Sequence, residues 1–179
     1  MDKLKWIFIV LTVLLAGCSS SYSNQSLVGQ TLPTFSGQTL EQQDVSMPGL
    51  FANKPTLLLV GYKQDTQFDI DRWLIGLDMS NALVDVYELP AIQGMFPKMF
   101  SSMINNGMRR GIPKELWGGV ITLYNDGEKM QQYTGNENPN NARVILLDAN
   151  SEIVYFYDRG FSVDALNKLG TALDKLELN

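Results

Sequence analysis

The sequence predicts an α/β domain with a central mixed β-sheet flanked by helices, built as a β-α-β half followed by a β-β-α half. Three observations carry that prediction. Lys54-Pro55-Thr56-Leu57-Leu58-Leu59-Val60-Gly61-Tyr62 is a short, unbroken apolar run after a proline, the signature of a strand buried on both faces. Ile70, Trp73, Leu74 and Leu77 then recur at i, i+3, i+4 and i+7, one stripe of an amphipathic helix. Near the end, Val144-Ile145-Leu146-Leu147 and Ile153-Val154-Tyr155-Phe156-Tyr157 flank Asp148-Ala149-Asn150-Ser151, the pattern of an antiparallel hairpin.

The chain starts with a different kind of segment. Lys3 and Lys5 precede an apolar run from Trp6 to Leu15, interrupted only by Thr12 and followed by Ala16 and Gly17. A positive head, a short apolar middle and small residues at its exit make residues 1–17 a secretory signal peptide. The exit ends on Cys18, the single cysteine of the chain. Leu15-Ala16-Gly17-Cys18 resembles the bacterial lipobox, which implies cleavage before Cys18 and acylation of that residue with palmitate-type chains. Several acyl chains on one residue meet the requirement for durable anchoring. By the same resemblance, Ser19 in place of aspartate points to the outer membrane of a Gram-negative cell, with the domain facing the periplasm. Residues 18–27, which include SSSYSNQS, are expected to form a lipidated, flexible polar tether, and residues 28–179 the folded domain.

Composition excludes several function classes. Loss of Lys3, Lys5 and Asp2 with the signal takes the formal charge from −5 to −6, which offers nothing to nucleic acid. The chain has no histidine, and acylation would consume the one thiol. A domain of about 150 residues is left with no cysteine nucleophile, disulfide, Cys/His zinc site or Ser-His-Asp triad. No cofactor or metal is expected.

Within the domain, Thr66 or Asp69 can cap the first helix, and Leu83-Val84-Asp85-Val86-Tyr87 reads as the strand that completes a parallel crossover. Phe96, Met99, Phe100, Met103 and Ile104 mark a further amphipathic helix, with Pro97 in its first turn. Val120 to Tyr124 reads as a strand, followed by a turn at Asn125-Asp126-Gly127 that leads into Lys129 to Tyr133. Ser162 can cap a last helix whose buried face is Leu166, Leu169, Leu173 and Leu176.

This order resembles the thioredoxin fold. Val28 to Phe35 is similar to the G-x-x-x-P-x-F entry of peroxiredoxins and TlpA-like proteins, and Leu146 to Val154 to their strand-turn-strand hairpin, with Ser151 where those families place glycine. In that superfamily the redox thiols sit where the first central strand meets the following helix, where a helix N-terminus lowers a thiol pKa. Here the junction is Lys63-Gln64-Asp65-Thr66-Gln67-Phe68-Asp69-Ile70-Asp71, and Asp65 and Phe68 stand about where a C-x-x-C pair would be. The resemblance therefore implies the scaffold without its redox centre. Trp73-Leu74 and the run from Asn140 through Asp148 to Ile153 also resemble the thioredoxin-like assembly factors of mitochondrial ATP synthase, from which Tyr155-Phe156-Tyr157 departs.

The candidate binding residues are Asp65, Asp69, Trp73, Glu88, Arg109 and Arg110. Asp65, Asp69 and Asp71 could gather around a cation, or could complement a helix dipole, the commoner use of acidic residues in a first turn. Glu88 and the Arg109-Arg110 pair follow secondary elements, where binding residues concentrate, and arginine suits carboxylates and phosphates. The methionine-rich stretch Met95 to Met108 reads first as core and second as an adaptable partner groove. Asn136 to Asn141 reads as an exposed loop. The function expected is a membrane-anchored, non-redox module that binds an envelope protein or peptide. The alternatives are a non-thiol enzyme using Asp65, Glu88 and Arg109, and a purely structural envelope lipoprotein.

Overall fold

A strand with apolar side chains on both faces has no side to offer to water, and the two such strands of this chain lie together in the middle of one sheet. The computed structural model describes residues 20–178, with only the backbone for Met95 and Phe96, so the expected signal peptide, Cys18 and Ser19 lie outside the described residues. Strand β1 is Phe35–Thr39, β2 Asp44–Met47 and β3 Thr56–Gly61. Helix α1 (Gln67–Met79) leads to β4 (Asp85–Pro90), and α2 (Met95–Met99) and α3 (Ser101–Gly111) follow. Strand β5 (Ile121–Thr122), helix α4 (Gly127–Thr134), strands β6 (Arg143–Leu147) and β7 (Ile153–Tyr157), and helix α5 (Val163–Glu177) complete the order.

The central sheet runs β4-β3-β6-β7. β4 pairs parallel to β3, from Thr56↔Asp85 to Gly61↔Pro90, whereas β6 and β7 are antiparallel, so the sheet is mixed, as expected. Every residue of β3 and β6 is buried. Because side chains alternate across a strand, Leu57, Leu59, Val144 and Leu146 meet Ile70, Trp73, Leu77, Ala165 and Leu169 on one face. Leu58, Val60, Ile145 and Leu147 meet Phe35, Phe51, Leu123, Met130 and Ile153 on the other. Each such aliphatic side chain contributes about 1.5–3 kcal/mol on burial. The C-terminal helix starts as expected, with Ser162 Oγ accepting from Ala165 N at 3.1 Å.

Several expectations change. β1, β2 and β5 form a second sheet in the order β2-β1-β5, joined to β4 through the parallel bridges Glu88↔Val120 and Ala91↔Leu123. The strand expected over Val120–Tyr124 is therefore two residues long and pairs with β1. The methionine-rich helix is two helices, interrupted at Phe100, and Met99 and Met103 are 71% and 67% exposed, not core. The turn at Asn125 opens a helix, α4. Gly127 starts it where a Cβ would stand 2.3 Å from the Ile92 carbonyl oxygen, so no other residue fits without moving backbone.

The expected tether is docked from residue 20 onward. Asn136 Nδ2 donates to Ser20 O at 2.9 Å, Tyr22 N donates to Asn136 Oδ1 at 2.7 Å, and Asn136 N donates to Tyr22 O at 2.9 Å. Tyr22 Oη donates to Glu128 at 2.7 Å, and Glu137 N and Arg143 Nη2 donate to Asn24 Oδ1 at 3.2 and 3.3 Å. Gly135, at φ +81°, lets the segment pass so close that a Cβ would lie 2.3 Å from Asn24 Cα. Asn136 is accordingly buried, against its expected exposure in a loop. Among the described residues, no helix is long and apolar enough to cross a membrane.

Candidate functional site

The junction of β3 and α1 is held by Thr66. Its hydroxyl accepts from Lys63 N at 3.2 Å and donates to Pro139 O at 2.9 Å, which ties the start of α1 to the loop before β6. Asp65 and Phe68 are exposed on either side, Phe68 to 70%. On the same face of α1 stand Ile75 and Met79, seven and eleven positions on, 59% and 78% exposed. An apolar stripe thus runs outward from the position where the resemblance would place thiols.

The acidic cluster separates. Asp69 turns inward, is buried, and accepts from Ala142 N at 2.9 Å and Phe161 N at 2.7 Å, with Arg72 Nη2 4.0 Å away. It fastens α1 to β6 and to the approach of α5, and is neither a cap nor a ligand. Asp71 faces Gln67, whose Nε2 donates to it at 2.9 Å and to Glu88 at 3.3 Å. Burial pushes the Glu88 carboxyl above its usual range, the Gln67 bond opposes this, and the charge of Asp71 adds to it. Among the described residues, no group of three or more carboxylates could hold a metal ion.

Trp73 is fully buried, edge-on to Phe161 at 5.3 Å and to Tyr157 at 5.9 Å, so it is a core residue and not a binding residue. Arg109 is a brace. Its Nε donates to Leu40 O at 2.6 Å, Nη1 donates to Asn106 Oδ1 at 2.9 Å, and the guanidinium lies 5.5 Å from the Trp117 ring centre. Arg110, exposed, donates to Asn106 O at 3.2 Å. Gln67 donates its backbone N–H to Asp65 O and its side chain to Glu88, whereas Arg109 donates to Leu40 and Asn106, so Arg109 stands apart from the other two.

Two further features escape sequence reasoning. Arg143 is a wholly buried cation. Its Nε donates to Gly135 O at 3.1 Å, Nη1 donates to Asn138 O at 2.7 Å and Asn141 O at 2.8 Å, and its guanidinium lies 4.8 Å from the centre of the Tyr62 ring. Burial lowers its pKa, with Tyr62 and Asp158 opposing. Tyr62, bonded to the Thr134 hydroxyl, is pushed up to about 12 by burial. Among the described residues, carbonyl oxygens, the Asn24 amide and a ring face compensate the charge, with no carboxylate in ion-pair contact. The only sequence signal was a single arginine opening an apolar strand.

The second feature is a groove of about 590 Å³ over the outer face of the β2-β1-β5 sheet, lined by Ser36, Gln38, Asp44 and Ser46 among others. A smaller cleft of about 180 Å³ lies between the end of α1 and α5, beside Leu77 and Leu173. Neither is lined by Asp65, Glu88, Arg109 or Arg110.

No family model matches this chain, and no curated protein does. Solved structures do. A thiol peroxidase from Chromobacterium violaceum is 16% identical with a TM-score of 0.55, over 84% of this chain and 90% of that one. The thioredoxin domain of a thiol-disulfide oxidoreductase from Bacteroides vulgatus is 16% identical with a TM-score of 0.52, over 83% and 99%. An exposed lipoprotein thioredoxin from Streptococcus pneumoniae is 11% identical with a TM-score of 0.54, over 80% and 100%. At such identities the likeness concerns architecture alone, and together with the mixed four-stranded sheet between helices it shows that this chain has a thioredoxin-like fold.

Proposed function

We propose that this protein is a lipid-anchored, non-redox thioredoxin-like module that binds a protein or peptide of the cell envelope. Its structural neighbours include a thiol peroxidase and a thiol-disulfide oxidoreductase, yet residues 28–179 contain no cysteine at all. The observation that carries the binding role is the stripe Phe68, Ile75 and Met79. Three large apolar side chains on one helix face, starting at the vacated thiol position, suit a partner's apolar surface. Met99, Phe100 and Met103 add adaptable apolar surface on α2 and α3. The non-thiol enzyme reading lacks comparable support, since Arg109 engages Leu40 and Asn106 away from Glu88 and its partner Gln67, and neither cavity is lined by the three residues.

Acylation of Cys18 at the lipobox-like Leu15 to Cys18 is the anchoring half of the proposal. Only Ser19 separates Cys18 from the docked Ser20, so Ser20 would lie within about 7 Å of the anchor, two Cα steps, and the loop around Asn136 one hydrogen bond beyond it. The domain would then ride close to the outer-membrane surface with a fixed side toward it. An assembly role, by resemblance to the ATP synthase factors, is one use such a module could serve.

Photo-crosslinking from position 68 or 75 in intact cells, read by mass spectrometry, tests the partner. The expected result is one reproducible protein adduct, lost when Met79 is also changed to Asp. Adducts that are irreproducible, or unchanged by Met79→Asp, would count against a partner on this face. Cys18→Ala should release the protein from membranes, and unaltered fractionation would contradict the anchor alone.

A further inference from the structure

The groove on the second sheet has a chemistry of its own. Ser36 lies directly opposite Ser46, and Gln38 lies opposite both Asp44 and Thr122. Residues directly opposed across a sheet project to the same face, so five polar side chains form one lattice. All five line the groove, and Lys98, Ser101, Tyr124 and Asn125 border it. The lattice is ordered: Gln38 Nε2 donates to Asp44 Oδ1 at 3.0 Å, and Tyr124 Oη donates to Asn105 Oδ1 at 2.8 Å. One member is incomplete. Thr122 is 1% exposed, and its hydroxyl has no hydrogen-bond partner among the described residues. Buried polar groups are normally paired, and this hydroxyl, closed to solvent, gains a partner where a ligand displaces the side chains that cover it.

From this we infer that the groove binds an uncharged, polyhydroxylated ligand of the saccharide class. Five hydroxyl side chains and two amides, Gln38 and Asn125, outnumber the two charges, Asp44 and Lys98, which cancel. Hydroxyls and amides both donate and accept, which matches sugar hydroxyls that do the same. An apolar ligand would strip water from these groups without replacing its hydrogen bonds, and an anion or a cation would find no surplus of the opposite sign. Peptide recognition needs pockets for alternate side chains, whereas Val45 is the one aliphatic side chain along the lining. The volume falls in the range of small-ligand sites, about 300–1,000 Å³. This inference is independent of the proposed anchor and of the apolar stripe on α1.

The test is amide chemical-shift mapping on the full chain, purified in a detergent without a sugar headgroup, against neutral trisaccharides of glucose, mannose and N-acetylglucosamine. An uncharged Ala-Ser tetrapeptide serves as the comparison. At least one saccharide is expected to shift residues 36–38, 44–46 and 122–124 with a dissociation constant on the order of millimolar or tighter. Thr122→Val should weaken binding at least about tenfold while leaving thermal stability equal or higher, because it removes an unpaired hydroxyl without changing shape. A merely structural threonine would not split the two readouts in that way. Gln38→Ala, on the middle strand of this sheet, should weaken binding in a variant that folds normally. The inference is overturned if no saccharide moves these amides at about 10 mM, if Thr122→Val binds unchanged, or if the tetrapeptide moves them and the saccharides do not.

Discussion

Tyr22 and Asn136 are joined by a reciprocal pair of hydrogen bonds, Tyr22 N to Asn136 Oδ1 at 2.7 Å and Asn136 N to Tyr22 O at 2.9 Å. One side chain thus converts a serine-rich segment into an ordered part of the domain. Asn136→Ala removes the side-chain half of the clasp and the bond to Ser20, and leaves Tyr22 N without that acceptor. The expected result is fast amide exchange and early proteolysis confined to residues 20–26, with a stability loss of about 1–3 kcal/mol. Unchanged protection at Tyr22 would show that the clasp is not what orders the segment.

Asp69 and Asp71 sit two residues apart and should behave oppositely. Asp69→Ala strands Ala142 N and Phe161 N, costing about 1–3 kcal/mol for each donor left unpaired. Asp71→Ala, on the exposed side, should stay within about 0.5 kcal/mol. Urea unfolding of both variants decides the matter, and equal effects would contradict the inward role of Asp69.

Ser151 occupies the left-handed region at φ +67°, the hairpin position where the resembled families carry glycine. Ser151→Gly relieves a conformation that L side chains disfavour and should stabilise the protein by about 0.5–1 kcal/mol in thermal or urea unfolding. A loss of stability would mean that the serine side chain contributes more than the backbone strain it imposes.

Tyr62, Tyr124 and Tyr155 are each pushed up from 10.0 to about 12 by burial. The folded state therefore keeps protons that the unfolded chain releases above pH 10. The stabilisation is complete below pH 10 and is lost as pH rises toward about 12. Urea midpoints measured across that window should fall steeply, and Tyr62→Phe should flatten the slope. Equal slopes in the two proteins would contradict the buried, protonated state of Tyr62.

How much of this was legible in the sequence follows from what each element depends on. β3, α1, the β6–β7 hairpin and α5 announce themselves because each carries its own periodicity or unbroken apolar run, and Ser162 caps where a serine should. β1 and β2, FSGQT and DVSM, are mostly polar on one face and short, so local pattern says little, although pairing with each other and β5 makes them strands. The break at Phe100 and the outward turn of Met99 and Met103 were invisible because helical spacing gives a face but not what covers it. The acidic cluster dissolved because Asp69 meets backbone donors 73 and 92 residues away. The Tyr22–Asn136 clasp spans 114 positions, and the Arg143 cage draws on Asn24 as well as on nearby carbonyls. Contacts of that range leave no local trace.

The most direct test of the central claim is turnover. Purified full chain carrying Cys18→Ser, freed of metal, is assayed for reduction of insulin disulfides by dithiothreitol and for consumption of peroxide. A thioredoxin-like body with no thiol of its own should match the protein-free background in both assays. Turnover that scales with protein concentration would contradict the account, because some other group in residues 28–179 would then be carrying electrons.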